Sequence, residues 1–122
     1  MKGKVLVVDD SALSRRTLRQ ILEPAGYHVV EAEDGLSALE RYFLEKPDVV
    51  LLDLVMKGMY GLDVLAKLRE FDRDAKVVVV SADIQTSSHD LAEAAGASAF
   101  VNKPFDKSEI LSALETARTG SM

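Results

Sequence analysis

The sequence holds no cysteine and no tryptophan. Without thiols there is no disulfide, no thiolate metal site and no thiol nucleophile, which fits a reducing cytoplasm. Histidine is nearly as scarce: His28 and His89 are too few and too far apart for a metal centre, and each reads as a surface residue. Basic residues are in deficit, 15 Lys+Arg against 20 Asp+Glu for a net charge of −5. That balance argues against direct nucleic-acid binding, which needs a basic face. No apolar run approaches the roughly 20 residues that cross a bilayer, so no membrane span is expected. The start, Met1-Lys2-Gly3-Lys4, leads into four apolar residues and then two acids, a form unlike a signal peptide. No internal repeat, low-complexity tract or linker is visible. The expectation is one soluble cytoplasmic domain, since 122 residues at 48% hydrophobic and 29% charged suffice for a buried core.

What the chain does have is a series of short apolar runs, each ending on a polar residue. One is Val49-Val50-Leu51-Leu52, four apolar residues with two β-branched, the pattern of a strand buried on both faces. It runs into Asp53. Burying an ionised carboxylate costs several kcal/mol unless something pairs with it, so Asp53 belongs where core gives way to crevice. Val5–Val8 runs into Asp9-Asp10-Ser11, Val77–Val80 into Ser81, and Phe100-Val101-Asn102 into Lys103. A shorter, less apolar run around Val29-Val30 predicts an edge strand.

Helical spacing fills the gaps. Leu13, Thr17, Leu18, Ile21 and Leu22 predict the inner face of a first helix, stopped by Pro24 and Gly26. Leu36, Leu39, Tyr42 and Phe43 predict the second, and Leu62, Val64, Leu65 and Leu68 the third. A polar segment, Asp83–Asp90, leads to a weak Ala-rich helix near Leu91–Ala95. Asp106 caps a last helix carrying Ile110, Leu111 and Leu114. Strands alternating with helices predict an α/β domain with a mostly parallel sheet, and right-handed crossovers place helices on both faces. Residues 1–118 form the expected domain, and 119–122 a flexible tail.

In an open parallel sheet, ligands bind at the carboxyl ends of the strands. Those ends would bring Asp9, Asp10, Asp53, Ser81 and Lys103 to one crevice. Singly each has an ordinary explanation: the first acids as helix caps, Asp53 and Ser81 as turn residues, Lys103 as a surface lysine. Together they pose an electrostatic problem. Two carboxylates about 5 Å apart repel by roughly 3 kcal/mol at an effective dielectric of about 20. Either one acid keeps its proton or cations occupy the site. Lys103 is one cation. All-oxygen ligands suit a hard divalent ion, and Mg²⁺ with few protein ligands keeps positions open for phosphate oxygens. A first helix starting near Ser11 adds a positive dipole end. A carboxylate beside Mg²⁺, a lysine and a hydroxyl is the equipment to form an aspartyl-phosphate, with Asp53 attacking phosphorus.

Val-Val-Asp9-Asp10-Ser, Leu-Leu-Asp53, Val-Ser81-Ala and Asn-Lys103-Pro104-Phe105 occur in that order and spacing. In these motifs the chain resembles, over essentially its whole length, the receiver domain of bacterial two-component response regulators, the CheY-like family. The resemblance implies a flavodoxin-like doubly wound fold of five helices on a five-stranded parallel sheet of order 2-1-3-4-5. It implies a signalling switch rather than an enzyme, taking a phosphoryl group from a histidine kinase or phosphotransfer protein onto Asp53. Asp10 would bind Mg²⁺ directly, Asp9 through water, with the Val55 carbonyl as a further ligand. Ser81 would meet the phosphoryl group, Lys103 would bridge to it, and the Lys103–Pro104 peptide would be cis. Phe100 matches the switch aromatic. The output partner would bind the face of the fourth helix, fifth strand and fifth helix, and the chain would be a monomer or weak homodimer.

Some positions depart from the family pattern. Lys57 stands where Pro is common, with Gly58 loosening the loop. An apolar Val55 cannot position a water for hydrolysis, which implies a long-lived phosphoryl group. Phe100 replaces the commoner Tyr. Ala97-Ser98-Ala99 lacks the acids common in the DNA-binding branch, pointing to a chemotaxis-type or stand-alone regulator. Two other functions compete. An Mg²⁺-dependent phosphatase with an aspartate nucleophile would need a leaving-group acid where Val55 stands. A flavin module would need a Ser/Thr/Gly-rich phosphate loop where Asp9-Asp10 would repel the phosphate.

Overall fold

Unbroken Val and Leu runs leave a strand no face for water, so each must be covered on both sides. In the computed structural model, which describes residues 2–56, 58, 60–82 and 86–120, that covering is complete. The order is β1 (Gly3–Val8), α1 (Ala12–Leu22), β2 (Tyr27–Ala32), α2 (Gly35–Glu45), β3 (Val49–Leu52), α3 (Gly61–Phe71), β4 (Val77–Ser81), α4 (Thr86–Ala94), β5 (Ala99–Asn102) and α5 (Lys107–Thr119). All strand pairs are parallel, in the order β2-β1-β3-β4-β5. This is the doubly wound arrangement that the resemblance implied. The expectations for Lys57, Met59, Asp83–Gln85 and the tail beyond Gly120 lie outside the described residues.

The period of two along each strand divides the core into two layers. Val5, Val7, Leu51, Val78 and Val80 face Leu18 and Leu22 of α1 and Ile110 and Leu114 of α5. Leu6, Val8, Leu52, Val77 and Val79 face Ala38 and Tyr42 of α2, Val64, Leu65 and Leu68 of α3, and Ala92 of α4. Three helices therefore cover one face and two the other. Among the described residues, no helix is long and apolar enough to cross a membrane.

Several expectations need correction. β2 is at the edge as expected, but at six residues it is as long as β1. Leu13 is 71% exposed, and Thr17 lies outside the α1 stripe too. In α2 the inner stripe is Gly35, Ala38 and Tyr42, while Leu36 and Phe43 are 66% and 55% exposed. Close packing on the sheet selects the small side chains of Gly35 and Ala38, and the larger ones turn outward. α4 begins at Thr86 rather than near Leu91, and it buries Ala92 instead of Leu91.

Candidate functional site

The ladder register brings the polar residues to one edge. Val8 pairs with Leu52, and one step beyond, the Asp53 N–H donates to the Val8 carbonyl at 3.0 Å. The Asp9 N–H donates to Ala32 at 3.1 Å, and the Lys103 N–H to Ser81 at 2.8 Å. Each strand thus hands on its last backbone bond as its sequence turns polar. Among the described residues, the buried polar side chains are Asp9, Asp53 and Ser81, all at this edge.

Lys103 is the hub. Its Nζ donates to Asp9 Oδ2 at 2.9 Å and to Asp53 Oδ2 at 3.1 Å, with the ammonium arm itself four-fifths buried. The other oxygens are held by backbone: the Ser11 N–H donates to Asp9 Oδ1 at 2.9 Å, and the Val55 N–H to Asp53 Oδ1 at 3.1 Å. Ser11, not an acid, caps α1, its hydroxyl accepting from the Ser14 N–H. Asp10 is exposed, and one carboxylate oxygen each of Asp9, Asp10 and Asp53 lie within 4.8 Å of one another.

The charges respond to this crowding. Burial pushes the Asp53 carboxyl above its ordinary value; the Val55 N–H and Lys103 oppose that, and Asp9 adds to it. For Lys103, burial presses downward, but the hydrogen bond to Asp9 and the charges of Asp53 and Asp9 outweigh it and leave the ammonium raised. The site therefore holds one tight cation beneath three acids. An all-oxygen donor set of this kind fits a hard divalent cation rather than a soft one.

The family model for the response regulator receiver domain matches residues 5–115. The chain belongs to this family. Chemotaxis protein CheY of Thermotoga maritima is 41% identical over 115 residues, spanning 93% of this chain and 96% of that protein. Sporulation initiation phosphotransferase F of Bacillus subtilis is 33% identical, spanning 94% and 93%. The solved complex of CheX, CheY, beryllofluoride and Mg²⁺ from Borrelia burgdorferi contains a similar chain, with a TM-score of 0.89 and 32% identity over 93% of this chain and 87% of that one.

Within this receiver, Asp9, Asp10, Asp53 and Lys103 converge, and Ser81 ends the neighbouring strand, paired with Asn102. The Lys103–Pro104 peptide is cis. Val55 offers backbone to the site while its side chain is exposed. Phe100 lies apart from the acids, on β5 opposite Val79, half-buried, its ring 4.8 Å from that of His89 on α4. Two contributors escaped the sequence reading. Arg15 donates to the Asp9 carbonyl at 2.7 Å, although it lies off the apolar stripe by which the first helix was read. Glu31, an acid following Val29-Val30 in the edge strand, was the available signal, since something must pair with it. Gly61 approaches Leu54 and Asp53 so closely that a Cβ there would lie 2.4 Å from Leu54 Cα. No sequence pattern announces that.

Proposed function

We propose that this receiver is a phosphoacceptor switch of a two-component phosphorelay, with Asp53 as the acceptor. The observation that carries the reading is the Lys103 ammonium bridging Asp9 and Asp53, with Asp10 completing the acid group. An Asp53 oxygen forms a bond to phosphorus as the bond to the donor's phosphohistidine nitrogen breaks, the electron pair leaving with the imidazole. Lys103 balances charge on the transferring group. Asp10, Asp9, Asp53 and the Val55 carbonyl are the residues that would hold Mg²⁺, which neutralises phosphoryl oxygens when bound. The chain's only chemistry on this reading is its own phosphorylation and hydrolysis. The receiver unit expected over residues 1–118 extends at least to Thr119, the last residue of α5, and it acts in the cytoplasm as a monomer or weak homodimer. The names of its CheY relatives and the CheX partner of the Borrelia protein support a chemotaxis-type role.

Mg²⁺ will stabilise the protein because it relieves the acid cluster. With a dissociation constant of about 1 mM, 10 mM Mg²⁺ adds roughly 1.4 kcal/mol, a melting shift of about 3–6 °C at this size. The direction of the Asp53 shift fixes the pH dependence. A carboxyl raised by folding costs nothing below its unfolded value and costs stability once pH has passed its folded value, so relief by Mg²⁺ grows with pH through that interval. Asp10→Asn will lose the shift while melting higher than wild type without Mg²⁺. Scanning calorimetry at two pH values checks this, and a wild-type curve indifferent to Mg²⁺ removes the metal site.

The signal leaves through Ser81 and Phe100. A phosphoryl group on Asp53 draws the Ser81 hydroxyl toward it, and the Phe100 ring follows into the space opened beside β4. Burying a Phe ring is worth about 1.5–3 kcal/mol, enough to move an equilibrium of that size. Leaving the His89 ring changes α4 as well as β5, at a groove of about 280 Å³ lined by His89, Ala92, Glu93, Ala97 and Phe100. That face of α4, β5 and α5 is where the output protein or domain binds. Beryllofluoride with Mg²⁺ is expected to shift the amide resonances of residues 89–103 and the Phe100 ring protons. Unmoved resonances on a loaded site, or an intact response in Ser81→Ala, reject this route.

A further inference from the structure

Asp9 is the last residue of β1's path, and its carbonyl lies past the sheet. The neighbouring strands have spent their groups: Ala32 accepts from the Asp9 N–H, and Asp53 donates to Val8. What takes the Asp9 carbonyl is Arg15, whose Nη1 donates to it at 2.7 Å. Arg15 is itself held, since its Nε donates to Glu31 Oε1 at 2.9 Å and its side chain is only 15% exposed. Glu31 belongs to β2, opposite Val7, and its other oxygen accepts from Arg19 at 2.8 Å. Arg19 in turn reaches Glu23 at 2.7 Å. Burial pushes the Glu31 carboxyl up, but hydrogen bonds from Arg19 and Arg15 more than offset this and keep it ionised. The planar guanidinium thus spans from β2 to the peptide that joins Asp9 to Asp10, and that peptide's plane sets where the Asp10 side chain departs.

The geometry points to Arg15, clamped by Glu31, as a positioning residue that turns the Asp9–Asp10 peptide so that both carboxylates converge with Asp53 to receive Mg²⁺. This rests on the proposed assignment of Mg²⁺ to those acids. The role has a sign that charge alone cannot imitate. A guanidinium bonded to the Asp9 carbonyl repels a divalent cation held by the Asp9 and Asp10 carboxylates, so removing its charge without other effect would tighten Mg²⁺ binding. Losing a positioning contact behind a metal ligand weakens binding instead, by about 10–100-fold in comparable sites. Lysine keeps the charge but lacks the fork that meets Glu31 and Asp9 together.

The test is an Mg²⁺ titration followed by amide NMR at residues 9–11 and 53–55, on wild type, Arg15→Ala, Arg15→Lys and Arg19→Ala. Expected are a loss of about tenfold in Arg15→Ala, a smaller loss in Arg15→Lys, and displaced Asp10 and Ser11 amides in both before any Mg²⁺ is added. Arg19→Ala, which leaves Arg15 on Glu31, should stay within about twofold of wild type, because it touches no group of the acid site. Binding in Arg15→Ala as tight as wild type or tighter, wild-type affinity in Arg15→Lys, or an equal loss in Arg19→Ala each overturns the inference. Absence of saturable Mg²⁺ binding in wild type overturns the metal assignment itself and this inference with it. If Arg15→Ala fails to fold, the Lys and Arg19 variants decide alone.

Discussion

Acetyl phosphate with Mg²⁺ will add a single phosphoryl group to the wild-type chain and none to Asp53→Asn. Asp9 and Asp53 are both buried, and both bind Lys103, so burial and charge do not choose between them. Position does. β3 lies between β1 and β4, so Asp53 has the acids on one side and Ser81 with Lys103 on the other. Asp9 stands at the β2 side, its Oδ1 turned back onto its own Ser11 N–H. Asp53, bonded to Lys103 and next to the strand that ends on Ser81, is therefore the expected acceptor. Lys103→Ala should still take up Mg²⁺ but be labelled more slowly, by about 10²–10³, the usual loss on removing one preorganised donor to developing charge. An intact-mass time course reads both outcomes. Label that persists in Asp53→Asn overturns the acceptor assignment.

The site was legible in sequence because strand ends announce themselves. An apolar run that stops on Asp, Ser or Lys fixes both the strand and the rim, and parallel pairing does the rest. That logic brings Asp9, Asp10, Asp53, Ser81 and Lys103 to one edge, as the fold does. It failed where one face must be chosen among several apolar candidates. In α2, Leu39 and Tyr42 meet the core as their spacing predicts, but Leu36 and Phe43 turn outward and Gly35 and Ala38 take their place. Hydropathy ranks Leu and Phe above Ala; packing distance ranks them the other way. Tyr42 is admitted because its hydroxyl reaches Asp72 at 2.6 Å at the rim of the core. The same blindness hid Arg15. Arginines off an apolar stripe read as solvated, but Arg15 turns inward onto Glu31 and Asp9. Charge pairs between a helix and a strand 16 residues away leave no periodic trace.

Replacing Gly61 by alanine is expected to cost about 2–3 kcal/mol and to disturb Asp53 at the same time. The cause is space, not backbone freedom, since Gly61 does not have a positive φ. It opens α3, and its N–H donates to the Leu54 carbonyl at 2.9 Å, drawing the helix start onto the end of β3. A Cβ would lie 2.4 Å from Leu54 Cα, 2.5 Å from the Asp53 carbonyl and 2.9 Å from the Leu54 carbonyl. All three are backbone atoms of the central strand's exit, so none can swing aside as a side chain would. Overpacking of this kind costs about 1–3 kcal/mol, and the gain of up to about 1 kcal/mol from alanine in a helix is smaller at its first turn. A melting drop on the order of 10 °C follows. The strain is relieved by moving Leu54 and Asp53, which loosens the Val55 N–H bond to Asp53 and should slow phosphorylation. Gly58→Ala is the contrasting case. Gly58 has φ of 89° with nothing within 4 Å of an added Cβ, so it meets backbone strain in open space. Its cost is expected near 1 kcal/mol, with the Asp53 carbonyl left in place. Calorimetry and the labelling time course on both variants separate the effects. If Gly61→Ala melts within about 2 °C of wild type and labels at the same rate, the contact between α3 and the end of β3 does not constrain Asp53.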